Sequence, residues 1–155
     1  MSHASASKVD SMIAAAQQGT AASIILDNKT LTEAQFDALI QALVKNESVT
    51  LLSLVETGIS DKQLGALADA LASHKAPITI LNLEYNDLSD EGAKALASTL
   101  TSHPSLKQIL LAGNQITDVG AEALHLAWRK NSHIVKVDLD MNQVASKLVK
   151  DMSKR

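Results

Sequence analysis

Five histidines, His3, His74, His103, His125 and His133, are the residues of this chain best suited to metal or acid–base chemistry. His74 and His103 share a sequence column with Asn46 and Asn131, one repeat interval apart, so a bridging metal is the chemistry to test first. Two ligands with no third nearby fall short of a metal site. Cys is absent, which removes thiolate ligands and any disulfide framework. No order of Ser, His and Asp suggests a triad, and no glycine-rich loop could cradle a phosphate. The acids are numerous, but most fall at expected helix starts, where a carboxylate serves the helix dipole. The chain therefore reads as a non-enzyme without cofactor or metal.

Recognition of another macromolecule fits the residues better. Four short alternating stretches place Leu51, Val55, Ile80, Asn82, Glu84, Leu110, Asp138 and Asp140 on the outward face of expected strands, with Glu56 and Tyr85 beside them. A solvated strand face should be mostly polar, yet Leu51, Val55, Ile80, Leu110 and Tyr85 are apolar or aromatic. Apolar patches rimmed by acids often mark interaction sites. Partial mutual shielding between neighbouring strands is the competing explanation. Tyr85 is the best single anchor, because aromatic residues are over-represented among interface hot spots.

Those residues need a scaffold, and the chain supplies one by repetition. Aligned on a turn position, Lys29, Thr57, Asn86, Asn114 and Asn142 are spaced by 28, 29, 28 and 28 residues. Three residues earlier stand Leu26, Leu54, Leu83, Leu111 and Leu139, without exception. Five earlier come Ile24, Leu52, Leu81, Ile109 and Val137. Two later come Leu31, Ile59, Leu88, Ile116 and Val144, and ten later Leu39, Leu67, Leu96, Leu124 and Met152. No single unit can bury such an apolar face, so the units must stack. Thr32, Ser60, Ser89 and Thr117 share one column as helix caps, and Thr32-x-x-Gln35 and Ser60-x-x-Gln63 fit a capping box. Gly92 and Gly120 are expected to let helix approach sheet closely, in a column that Gln35 and Gln63 fill earlier.

The pattern LxxLxLxxNxLxxxGxxxLxxxL at Ile78–Leu100 and Leu106–Trp128 resembles the ribonuclease-inhibitor-like subfamily of leucine-rich repeats. The resemblance covers about residues 21–152. It implies an α/β fold, a horseshoe-shaped leucine-rich repeat solenoid with parallel strands on its concave face and helices on its convex face. It also implies a protein partner docked in the concavity. The family includes inhibitors, GTPase-activating proteins, actin-capping proteins, immune receptors and bacterial effectors. A protein-interaction module of scaffold, effector or immune type is the leading expectation. A fragment resembling Ran GTPase-activating proteins is the alternative, although Arg129 is the one arginine before the final residue. A purely structural scaffold is a third reading.

The ends and the charge complete the picture. Residues 1–20 are expected to hold a mobile start and a capping helix, 21–144 about five repeats, and 145–155 a closing helix with a basic end. Trp128 stands in the column of Leu43, Leu71 and Leu100, as core or as part of the terminal seal. The column holding Asn46, His74, His103 and Asn131 lies just past the helices, where left-handed backbone is expected. Residues 1–128 carry seven Lys/Arg against 14 Asp/Glu, which argues against a nucleic-acid partner. No stretch approaches the roughly 20 apolar residues of a membrane span, and no signal peptide is read. The expectation is a cytoplasmic monomer, or one delivered into a host cytoplasm if it is an effector.

The register has a direct test. Leu83→Ala and Leu111→Ala should each lower the unfolding free energy by about 2–5 kcal/mol, the usual cost of truncating a large buried side chain. Near-neutral denaturation midpoints for both would sink the repeat alignment.

Overall fold

The computed structural model describes residues 7–73, 75–153 and 155. His3, His74 and the start expected to be mobile lie outside the described residues. Six helices, α1 (Lys8–Gln17), α2 (Glu33–Lys45), α3 (Asp61–Leu71), α4 (Asp90–Leu100), α5 (Asp118–Lys130) and α6 (Ser146–Met152), are found among the described residues. They alternate with strands β1 (Ser23–Ile25), β2 (Leu51–Ser53), β3 (Ile80–Asn82), β4 (Gln108–Leu110) and β5 (Lys136–Asp138). The strands pair in parallel and in chain order, β1-β2-β3-β4-β5. The expected α/β leucine-rich repeat solenoid is therefore the fold.

The register follows the repeat columns. Ile24, Leu52, Leu81, Ile109 and Val137 pair from strand to strand, and all five are fully buried. The leucine column Leu26, Leu54, Leu83, Leu111 and Leu139 is sealed to the same degree. So is the helix column from Leu39 to Met152. In the remaining column only the end members Leu31 and Val144 are half-buried. At about 1.5–3 kcal/mol per large side chain removed from water, this stack is the main stabilising term. Val9, Ile13 and Ala16 of α1 close one end of it, and Met152 with Leu148 and Val149 closes the other.

Polar groups also link the units. Asn86 is buried; its Oδ1 accepts from the amides of Thr57, Gly58 and Ile59 of the preceding unit, at 3.1, 3.0 and 3.3 Å. Its Nδ2 donates to Leu54 O at 2.9 Å and to Leu83 O at 3.0 Å. Asn114 reaches back to Leu83 O and Leu88 N, and Asn142 to Leu111 O and Ile116 N. Each asparagine thus satisfies turn backbone that would otherwise be buried unpaired.

A second set of rungs links helix starts. Asp61 accepts from Ser89 N at 3.0 Å and from Ser89 Oγ at 2.6 Å. Asp90 does the same for Thr117 and also takes the Gly120 amide at 3.0 Å. Asp118 takes the amide of Ala145, which has no capping hydroxyl of its own. Burial pushes the Asp90 carboxyl up, but the Thr117 hydroxyl, the amides of Thr117 and Gly120, and Lys94 outweigh it and hold the group below its ordinary value. Asp61, Asp90 and Asp118, in the first turns of their helices as the dipole favours, are thus also bridges between units. They also explain the glycine column: a Cβ on Gly92 would collide with Asp61 Oδ1, and one on Gly120 would lie 2.6 Å from Asp90 Oδ1. It is helix against helix that the glycines bring close, rather than helix against sheet.

Both sets of rungs are missing at one joint. Between α2 and α3 no side-chain hydrogen bond crosses among the described residues, and Thr57 Oγ1 turns to Leu54 O of its own unit. Gln63 occupies the glycine column and spends its side chain on a capping box with Ser60. A cavity of about 220 Å³ opens there, lined by residues that include Phe36, Thr57, Ile59 and Gln63. Thr57→Asn should place an amide within reach of Leu26 O and the Thr30–Leu31 turn. Unfolding by urea should then report a gain of about 0.5–1.5 kcal/mol, the net worth of such hydrogen bonds. An unchanged or lowered midpoint would contradict the account of this joint.

Candidate protein-binding edge

The strand face turned away from the helices carries the expected site residues in three rows, as the repeat columns imply. Leu51 pairs with Ile80, whose other neighbour is Gln108. Leu110 falls in the next row, between Asn82 and Asp138. The three apolar residues expected to form one patch thus fall in two neighbouring rows, with Leu110 diagonal to Ile80. Leu51, Val55, Ile80 and Leu110 are each half-buried, as mutual shielding would give. Ile25, at 43% exposure, is the most open of the apolar strand residues.

The acids of this face are partly committed. Asp27 holds Ser53 Oγ at 2.6 Å and the Val55 amide at 3.0 Å. Glu84 accepts from Asn82 Nδ2 at 3.2 Å, while its amide donates to Asn82 Oδ1. Asp138 is ion-paired with Lys136 at 3.0 Å and caps the Asp140 amide. The acidic surround expected from Glu56, Glu84, Asp138 and Asp140 is accordingly weaker than their number suggests, with Glu56 and Asp140 left exposed.

The most distinctive geometry lies just beyond the strands' carboxyl ends. Asn28, Glu56, Tyr85, Gly113 and Met141 form one column, and all five have left-handed backbone, with φ of 57, 53, 54, 71 and 57°. Left-handed backbone was expected instead past the helices, at Asn46 and Asn131. Those two are extended, at φ −78° and −105°, because their side chains bridge loops: Asn46 Nδ2 donates to Ala16 O and Asn131 Nδ2 to Leu100 O. Non-glycine residues adopt the left-handed region at a cost and cluster at functional positions. Here the strand hydrogen bonding continues through the turn, since the Tyr85 amide donates to Ala112 O and the Gly113 amide to Asp140 O. That bonding holds the side chains of the column outward.

Tyr85 exploits the glycine beside it. A Cβ on Gly113 would lie 2.5 Å from Tyr85 Cδ1 and 2.7 Å from Cε1, so the ring rests directly on the glycine backbone. Its hydroxyl reaches across to Met141 Sδ at 3.6 Å. Three consecutive units thus contribute one continuous edge, with Tyr85 49% and Met141 71% exposed. Met141 was missed as a site residue, and the available signal was its place in the Tyr85 column.

The remaining candidates for chemistry have structural explanations. His103 is fully buried, and its Nδ1 accepts from the amides of Ser105 and Leu106. His74, the other histidine of the column weighed above for a bridging metal, lies outside the described residues. Among the described residues no group of three or more His, Cys, Asp or Glu could hold a metal ion. Trp128 belongs to the terminal seal: Arg155 stacks 4.2 Å from its ring and donates to Trp128 O and Asn131 O, and His125 stacks on it at 5.7 Å. Among the described residues no helix is long and apolar enough to cross a membrane.

Comparison with known proteins extends this description. No curated protein sequence matches the chain. A solved structure described as leiomodin-1 actin-binding site 2 superposes with a TM-score of 0.76 at 17% identity, covering 94% of this chain and 90% of that one. The tropomodulin C-terminal domain of Caenorhabditis elegans gives 0.79 at 17% identity, covering 94% and 91%. Similarity at that identity speaks for the fold. Membership rests on the sequence model of the TMOD/LMOD leucine-rich domain, which matches residues 7–154. Across nearly its whole length, therefore, the chain belongs to the TMOD/LMOD leucine-rich domain family.

Proposed function

We propose that this domain is a protein-binding module whose partner is actin, docked on the edge that carries Tyr85 and Met141. The observation that carries the reading is the Tyr85 ring laid over Gly113 and tied to Met141, an exposed aromatic–thioether surface on strained backbone. Nothing in the core requires an exposed tyrosine there, and rigid aromatic anchors are what interfaces use. The choice of actin as partner is supported by the name of one solved domain of the same fold, leiomodin-1 actin-binding site 2, alongside membership of the TMOD/LMOD family. It favours this reading over the GTPase-activating and effector ones. The 28–29-residue unit supports a repeat of ribonuclease-inhibitor type, which bears on ancestry rather than on the partner. An actin partner puts the work of the chain in the cytoplasm, and the acidic body argues for protein rather than nucleic acid.

Binding is measured by co-sedimentation with actin filaments and by equilibrium titration of monomeric actin. The parent chain should bind at least one form. Tyr85→Ala should weaken binding at least tenfold, about 1.4 kcal/mol, while the unfolding midpoint moves by less than about 1 kcal/mol. Gly113→Ala should dislodge the ring and strain a left-handed turn, so it should lose both affinity and about 1 kcal/mol of stability. No binding to either form would overturn the actin reading. Full affinity in Tyr85→Ala would move the docking surface elsewhere.

A further inference from the structure

Met141 combines three properties that bear on more than docking. The residue is 71% exposed, it ends the edge described above, and the Tyr85 hydroxyl donates to its sulfur at 3.6 Å. The chain has no cysteine, so thioethers are its only oxidisable sulfur. The other described methionines are shielded: Met12 is half-buried against the core, and Met152 is fully buried.

We infer that Met141 is a modification site, at which a hydroperoxide-class oxidant switches the edge from apolar to polar; the consequence for actin rests on the docking reading above. In the step, a sulfur lone pair attacks one oxygen of hydrogen peroxide. The S–O bond forms as the O–O bond breaks, and the departing hydroxide takes up the displaced proton and leaves as water. Sulfur is oxidised by two electrons to the sulfoxide, and the peroxide is reduced by the same two. The product is polar and chiral, and methionine sulfoxide reductases reverse it. A sulfoxide oxygen accepts hydrogen bonds far better than a thioether sulfur. The Tyr85 hydroxyl therefore turns onto it, and an S=O dipole replaces apolar surface where a partner must be desolvated. The core is untouched, because Met152 lies inside the leucine stack and Met141 does not.

The test treats the native full chain with hydrogen peroxide and follows each methionine by peptide mass spectrometry. Met141 should oxidise at least tenfold faster than Met152 and several-fold faster than Met12. Tyr85 is the single tyrosine, so its ring resonances report the edge without ambiguity, and they should shift as Met141 is oxidised. Affinity for actin should fall at least several-fold and return after treatment with the reductases. Met12→Leu should respond to peroxide in full; Met141→Leu, judged against its own untreated affinity, should not respond. An oxidation rate at Met141 no faster than at Met152, or a Met141 sulfoxide that leaves the Tyr85 resonances in place, would overturn the inference. Unchanged actin affinity of the sulfoxide form, in a chain that binds when reduced, would overturn its regulatory part. If the reduced chain binds no actin, the docking reading fails, while the oxidation rates and the Tyr85 shift still decide the modification site.

Discussion

Every unit of this array leaves buried backbone groups that only its neighbour can satisfy, and the rest of the structure depends on that mutual debt. Leucine stacking drives association of the units but sets no register by itself, since one aliphatic side chain packs acceptably on several others. Register comes from the asparagine and aspartate rungs, where a displaced unit would leave buried donors or acceptors unpaired at about 1–3 kcal/mol each. Asn86, Asn114 and Asn142 impose this at the turns, and Asp61, Asp90 and Asp118 at the helix starts. The two sets lie on different sides of each unit, so units joined by both cannot rotate against each other without breaking one of them.

That constraint has a functional consequence. The Tyr85–Gly113–Met141 edge spans three units, and its geometry survives only if those units keep their mutual register. All the joints beneath it carry rungs of both kinds. The joint between α2 and α3, where both kinds are lacking, lies on the near side of Tyr85 and does not underlie the edge. Units joined by both kinds of rung thus carry the exposed Tyr85 and Met141. Preorganisation of this sort reduces the ordering cost of binding.

Much of this was legible in the sequence, for a physical reason. Burial of the leucine columns is periodic, so the alignment on Asn86, Asn114 and Asn142 placed all five strands and the helices that follow them. The capping boxes at Thr32 and Ser60 formed as their spacing implied, because both partners are local. What the sequence hid were contacts between units. Asp90 reads the same whether it merely faces a helix dipole or bridges to Thr117 and Gly120, and only the stacking distance decides. The rows of the strand face, by contrast, were legible: the repeat columns already set Gln108 beside Ile80 and Leu110 beside Asn82, and the parallel register agrees. Met141 was passed over because the strand alternation ends before its position, and its neighbours Tyr85 and Gly113 reveal its role only when the turns are superposed.

Exposed apolar residues occur on both sides of the molecule, which makes a side-by-side comparison possible. Tyr85 and Met141 mark the strand edge, and Val119 and Leu126, 56% and 59% exposed, mark the outer face of α5. Hydroxyl-radical footprinting of the chain, alone and saturated with actin, reads all four side chains in one experiment. The account requires strong protection of Tyr85 and Met141 with Val119 and Leu126 labelled as in the free chain. Protection of Val119 and Leu126, with Tyr85 and Met141 still fully reactive, would contradict it.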